Sequence, residues 1–257
     1  MDVVAVVGLG APVESEAPAL AADLGITAYE AALMLRVPSP MLVLRTDDRA
    51  RTLDLVAKLR GRGHQVVACD TEAIATGDQV RRVKTFRLEA DALVTDLVTL
   101  GWTEIVAIVR AVHRTTTERV TTTERTRVSI GRAALSGGLA FRKTEKQETK
   151  VTNEEREQVL YVFSSTGAPL LFSQTRVRYE GLGPQLRPLQ LENFSTLLRL
   201  VREHARHAPY DERLLQPRPL QERVRTLSRA VKTSTSAEGV DLLAHLVATA
   251  IARPPYR

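Results

Sequence analysis

Apolar and polar positions alternate most regularly between Gln158 and Tyr179. Val159, Tyr161 and Phe163 recur with a period of two, a Ser-Ser-Thr-Gly-Ala-Pro connection follows, and Gln174, Arg176 and Arg178 then alternate with Thr175, Val177 and Tyr179. That period and that turn predict a β-hairpin, with Tyr161, Phe163, Val177 and Tyr179 in a core and Arg176 and Arg178 on the outer face.

Ahead of it, Val3 to Val7 predicts a short strand and Ala17 to Arg36 a helix interrupted near Gly25, with Ile26, Tyr29, Leu33 and Val37 on one stripe. Thr27 and Glu30 have the spacing of a capping box. Met41 to Arg45 reads as strand, Thr46 as an N-cap, and Asp47 to Arg60 as a helix with Ala50, Leu53, Val56, Ala57 and Leu59 inward. Gln65 to Cys69 returns as a strand, which gives a β-α-β unit preceded by one more strand and helix.

From residue 79 the pattern is rich in strands. Val83, Phe86, Leu88 and Leu93 surround a turn at Glu89-Ala90-Asp91, and the β-branched residues Ile105, Val106, Ile108, Val109 and Val112 favour a strand after Trp102. Thr115 to Arg119 and Thr121 to Arg125 repeat TTTER, predicting a solvated strand or loop. Ser136-Gly137-Gly138 reads as a turn, and the charges from Lys143 onward predict an exposed loop up to Arg156. Leu191 to His204 is an amphipathic helix with Phe194, Leu197, Leu198 and Val201 inward. A basic connector then leads to a helix at Val240 to Ile251, striped by Leu243, Leu246, Val247, Ala250 and Ile251.

The predicted fold class is α+β. A small α/β domain (1–78) is followed by an antiparallel, β-barrel-like domain closed by a helix (79–210), then a basic linker and amphipathic helical tail (211–257). Two resemblances accompany this order. Leu24 to Asp70, with its Leu-Gly-x-x-x-x-Glu-Ala helix start, resembles the C-terminal domain of the bacterial ribosomal stalk protein. That family's lysine-rich factor-binding helix has no counterpart here, so the likeness carries no function. Phe86-Arg87-Leu88-Glu89 together with Leu100-Gly101-Trp102-Thr103-Glu104-Ile105 resembles the opening strands of bacterial pleckstrin-homology-like barrels. Protein binding is the common use of such barrels, and Glu89 and Asp91 in the early loop argue against phosphoinositide binding.

Composition narrows the function classes. At 44% hydrophobic and 26% charged, the 257 residues are those of a folded protein, while 4% aromatic residues supply little for base stacking. One cysteine, Cys69, excludes an internal disulfide and suits a reducing compartment; with no evident signal segment, the expected location is cytoplasmic. Arginine outnumbers lysine 30 to 6, a bias expected of a GC-rich bacterial genome. Residues 1–96 hold 11 Lys/Arg against 14 Asp/Glu, a net of −3, and the remainder hold 25 against 16, a net of +9. An anionic partner would therefore meet the second half.

Catalytic signatures are sparse. Gly8 and Gly10 lack the third glycine of a dinucleotide loop, and Glu14 and Glu16 stand where pyrophosphate would sit. Asp47, Asp48 and Asp96 suggest a phosphoacceptor receiver, against which the strand-like Val80 to Leu88 argues. His204, His207 and Asp211 have a spacing that two imidazoles could use on a metal, but Arg206 lies between them. His64 and His113 stand alone, and His245 lies at a helix edge. No cofactor or metal is expected. The sequence therefore predicts a non-catalytic protein–protein interaction or scaffold protein. The alternative is an anion-binding module for nucleic acid or acidic membrane, through Arg142, Lys143, Arg176, Arg178, Arg223, Arg225 and Arg229.

Overall fold

The computed structural model describes the backbone of residues 1–128, 142–216 and 237–252. They fall into two compact units, the first comprising 1–113 with 157–257 and the second 114–156.

In the first unit, β1 (Asp2–Gly8) lies between β2 (Met41–Thr46) and β3 (Gln65–Asp70), antiparallel to both, with Val3 opposite Arg45 on one side and Cys69 on the other. The near-continuous apolar run of β1 follows from burial on both faces. Val4 and Val6 meet Leu20, Met34, Leu55 and Leu59 from three helices, α1 (Val13–Leu24), α2 (Ala28–Leu35) and α3 (Arg49–Gly61), while Ala5 and Val7 enter a different core. The capping box forms: Thr27 Oγ1 accepts the Glu30 N–H, and a Glu30 carboxylate oxygen accepts the Thr27 N–H at 2.9 Å.

The expected faces of α2 and α3 need correction. Tyr29 and Leu33 are 73% and 48% exposed, because Ala31, Met34 and Leu35 turn inward instead. On α3 the buried stripe is Thr52, Leu55, Val56 and Leu59, a strict i, i+3, i+4, i+7 set that leaves Leu53 exposed. The N-cap of α3 is Asp48, whose carboxylate accepts the Arg51 N–H, while Thr46 Oγ1 accepts the N–H of Asp48.

No sheet among the described residues closes into a barrel. The strands of the middle region divide between two open sheets. One is the small antiparallel meander β5 (Phe86–Leu88), β6 (Ala92–Thr95) and β7 (Thr99–Gly101). The other has the order β11-β8-β9-β10-β4, with β4 (Arg81–Val83), β8 (Ile105–Val128), β9 (Arg142–Ser164), β10 (Leu170–Ser173) and β11 (Tyr210–Leu214). Its edge strands β4 and β11 join parallel to their neighbours and do not meet each other. The second half of the hairpin also lies earlier than expected. Leu170 to Ser173 pair with Val162 to Val159, and the chain turns at Gln174, so Val177 and Tyr179 are buried from a loop. The charged stretch from Lys143 is strand, not loop, since a backbone ladder does not need apolar alternation.

Within the first unit, helices cover both faces of the five-stranded sheet. Leu160, Val162, Phe172 and Ile108 pack with Phe194, Leu197 and Val201 of α4 (Gln190–His204), whereas Val159, Tyr161, Phe163 and Leu171 pack with Leu243, Leu246 and Val247 of α5 (Ala237–Ile251). Thus α5 docks on its own chain, against β1, β3 and β11. The second unit contains the Arg114–Val128 part of β8, with both TTTER repeats, and the Arg142–Arg156 part of β9. The expected Ser136-Gly137-Gly138 turn and the basic connector after Gln216 lie outside the described residues. Among the described residues no helix is long and apolar enough to cross a membrane.

Candidate anion-binding groove

The inward face of α4 is fixed by Phe194, Leu197 and Val201. At 100° per residue this leaves Leu191, Ser195, Arg199, Arg202 and Arg206 along one outer stripe that continues past the helix end. A groove of about 710 Å³ opens there, lined by Ser195, Arg199, Arg202 and Arg206, floored by Leu198 and Ala208, and closed by Tyr210 at the start of β11. Pro209 holds the turn, its carbonyl accepting the Ile108 N–H at 2.9 Å.

The three arginines are held differently. Arg199 grips Glu203 with Nη1 at 2.8 and 2.9 Å from the two carboxylate oxygens, and Nη2 donates to Gln185 Oε1 at 2.6 Å. Arg206 Nε donates to the Glu203 carbonyl at 3.1 Å. Arg202 pairs with no carboxylate among the described residues; its guanidinium lies 4.1 Å from the centre of the Tyr210 ring. A guanidinium on an aromatic face is oriented but keeps its in-plane N–H donors for a ligand. Tyr210 is itself anchored by donating to Glu212 at 2.8 Å; burial and that carboxylate raise its pKa, so it remains a neutral platform. Three guanidinium groups against the single carboxylate of Glu203 give the lining a net charge of +2.

The residues singled out from the sequence do not converge on this groove. Arg176 and Arg178 are exposed and outside its lining. Arg176 stands near Glu157, where burial raises the carboxyl pKa, but hydrogen bonds from Ser173 and Thr175, with Arg176 assisting, bring it below its ordinary value. Arg142 and Lys143 lie on β9 where only the backbone is described, and Arg223, Arg225 and Arg229 lie outside the described residues. Arg199 and Arg202 stand outside the set expected from the sequence, and Arg206 enters it only as the residue between His204 and His207, because the apolar face dominates the pattern of α4. Their spacing of three and four was the available signal.

The histidines have other partners. His204 stacks on Trp102 with ring centroids 4.5 Å apart, and a His207 ring nitrogen lies 2.9 Å from the Ile105 carbonyl oxygen. Gly10 N–H donates to His64 Nδ1 at 2.9 Å, which leaves the ring proton on Nε2. That nitrogen lies 2.8 Å from Glu16 Oε2, off the line of a directed hydrogen bond. Glu16 also receives Arg62, which bridges to Asp23 at 2.8 Å. Glu16 therefore belongs to a buried ionic knot, and a side chain on Gly10 would collide with the Gly63 carbonyl, so this loop packs closely on itself. Asp96 accepts the backbone N–H groups of Lys84 and Thr85.

His113, Tyr161 and Asp241 form a second buried chain. The Tyr161 hydroxyl donates to Asp241 Oδ1 at 2.5 Å and is 2.6 Å from His113 Nε2, while the Gly77 N–H donates to Asp241 Oδ2 at 2.9 Å. With its one proton directed to Asp241, the hydroxyl accepts from His113. The three residues are 6%, 1% and 3% exposed, which leaves a reacting molecule no approach.

No protein-family model, curated protein or solved structure matches this chain.

Proposed function

We propose that this chain is a non-catalytic binding protein that recruits another protein, and that its binding face is the groove along α4. One observation carries the reading: Arg202 is poised on the Tyr210 ring between Arg199 and Arg206, with a single carboxylate in the lining. A preorganised cation without a carboxylate partner provides favourable energy to an incoming anion and little to the fold. The placement of His64, His113, His204 and His207 in packing and hydrogen-bond roles supports a binding role over acid–base chemistry.

Nucleic acid and acidic membrane remain the rival partners, favoured by the net charge of +9 over residues 97–257. Glu203 in the lining of the groove disfavours a phosphate backbone, which brings one negative charge after another past a fixed carboxylate. The test is cross-linking in cells with wild-type and Arg202→Glu chains. The reading expects a discrete protein adduct that the variant loses, and it fails if the adducts are unchanged or are nucleic acid.

A further inference from the structure

The groove does not end at its arginines. Three large apolar side chains stand out of the surface at the head of the same helix: Leu186, Leu189 and Leu191, 48%, 61% and 50% exposed. They are held there by the helix itself. Asn193 Oδ1 accepts the Arg187 N–H at 2.6 Å and its Nδ2 donates to the Arg187 carbonyl at 2.8 Å, while Arg199 holds Gln185. Leu191 lies on the same stripe as Ser195 and Arg202, and Ser195 Oγ donates to the Leu191 carbonyl. Leu191, Ser195 and Arg202 therefore share one stripe, apolar at its N-terminal end and cationic at its C-terminal end, with Leu186 and Leu189 exposed in the chain just before the helix.

Resting on the reading above, we infer that the partner element is an acidic amphipathic helix, its leucine-type side chains on Leu189 and Leu191 and its carboxylates on Arg202 and Arg206. The order of chemistries along the strip selects the occupant. Exposed leucines reward an apolar side chain, which neither DNA nor a lipid headgroup offers, and the arginines reward carboxylates. From Leu191 to His204, the helical rise of 1.5 Å per residue gives a strip about 20 Å long, enough for a partner helix of roughly three to four turns. Glu203 has a part here as well. It holds Arg199 in the free protein, and an incoming carboxylate would exchange with it, so binding transfers Arg199 from an internal to an external partner.

The probe is a fluorescent synthetic helical peptide with Leu on one half of a face and Glu on the other, titrated into the full chain by anisotropy. Poly-Glu, a peptide of the same composition in scrambled order, duplex DNA and phosphatidylglycerol vesicles are run beside it. The amphipathic peptide is expected to bind best, about tenfold more weakly to Arg202→Glu and about threefold or more weakly to Leu189→Ser/Leu191→Ser. Arg178→Glu, exposed and outside the groove, should leave affinity unchanged. These side chains are exposed, so the variants should melt like the wild type, and a shared melting curve confirms that lost affinity is not lost fold. If poly-Glu or the scrambled peptide binds as well and the leucine variant is silent while Arg202→Glu still weakens binding, the amphipathic inference is overturned and the groove stands. If no acidic probe responds to Arg202→Glu, inference and groove both fall. Preferential binding of DNA or vesicles overturns the choice of partner.

Discussion

The Tyr161 hydroxyl donates to Asp241 Oδ1 at 2.5 Å, a bond between residues 80 apart in sequence that pins α5 to the five-stranded sheet. Asp241 is 3% exposed and also accepts the Gly77 N–H. Asp241→Ala removes the acceptor from a buried hydroxyl and a buried amide at once. We expect a loss of about 3 kcal/mol in urea unfolding, with Tyr161→Phe costing roughly 1 to 3 kcal/mol. Changes below about 0.5 kcal/mol for Asp241→Ala would mean that α5 is held by its apolar stripe alone.

Cys69 provides a single internal reporter. Burial, reinforced by Asp2 and Asp70, pushes its thiol up to about 12. At pH 7.5 almost none of it is thiolate, so the folded chain should resist iodoacetamide and become modified only in denaturant, as mass spectrometry would show. Rapid modification of the native protein would contradict the placement of β3 against β1.

His245 faces the Phe163 ring, and burial lowers its pKa from 6.5 to about 4. Between those values the unfolded chain takes up the proton and the folded chain does not, so stability falls as pH falls. The contribution is fully present above about pH 6.5 and is lost by about pH 4, on the order of 3 kcal/mol. Replacing His245 by Leu should flatten the difference between melting curves at pH 7.5 and pH 4.5. A variant as acid-sensitive as the parent would assign that loss to other groups.

Arg62 neutralises two carboxylates together. Burial works against its charge, but bonds to Glu16 and Asp23 outweigh that and raise its pKa. Arg62→Leu leaves Glu16, 3% exposed, without its guanidinium partner, and should cost about 3 kcal/mol in denaturant. Arg62→Lys should recover only part of this, because an ammonium cannot present the fork that spans Glu16 and Asp23.

The sequence made elements legible where one local cause decided them. The Thr27–Glu30 capping box, the strand of Val3 to Val7 and the inward face of α4 each rest on residues close in sequence, and each forms. It misled where two faces competed for burial. Tyr29 and Leu33 carry more apolar surface than Ala31, yet Ala31 is buried while the larger side chains stay outside. The barrel expectation failed for a related reason, since alternation predicts strands but not which edges meet. The groove has no local signature beyond the spacing of its arginines; among the described residues it is the tertiary placement of Tyr210 beneath Arg202 that sets that arginine apart.

The middle of β9 is a wall shared by two interiors: Val159, Tyr161 and Phe163 furnish one and Leu160 and Val162 the other. Inserting or deleting one residue between Val159 and Tyr161, with the register before it kept, would send both aromatic rings to the α4 side and an aliphatic side chain to the α5 side, spoiling both interiors together. A two-residue change would preserve the sides and disturb only the strand ends. Length variation in this stretch should therefore be tolerated in pairs, if at all.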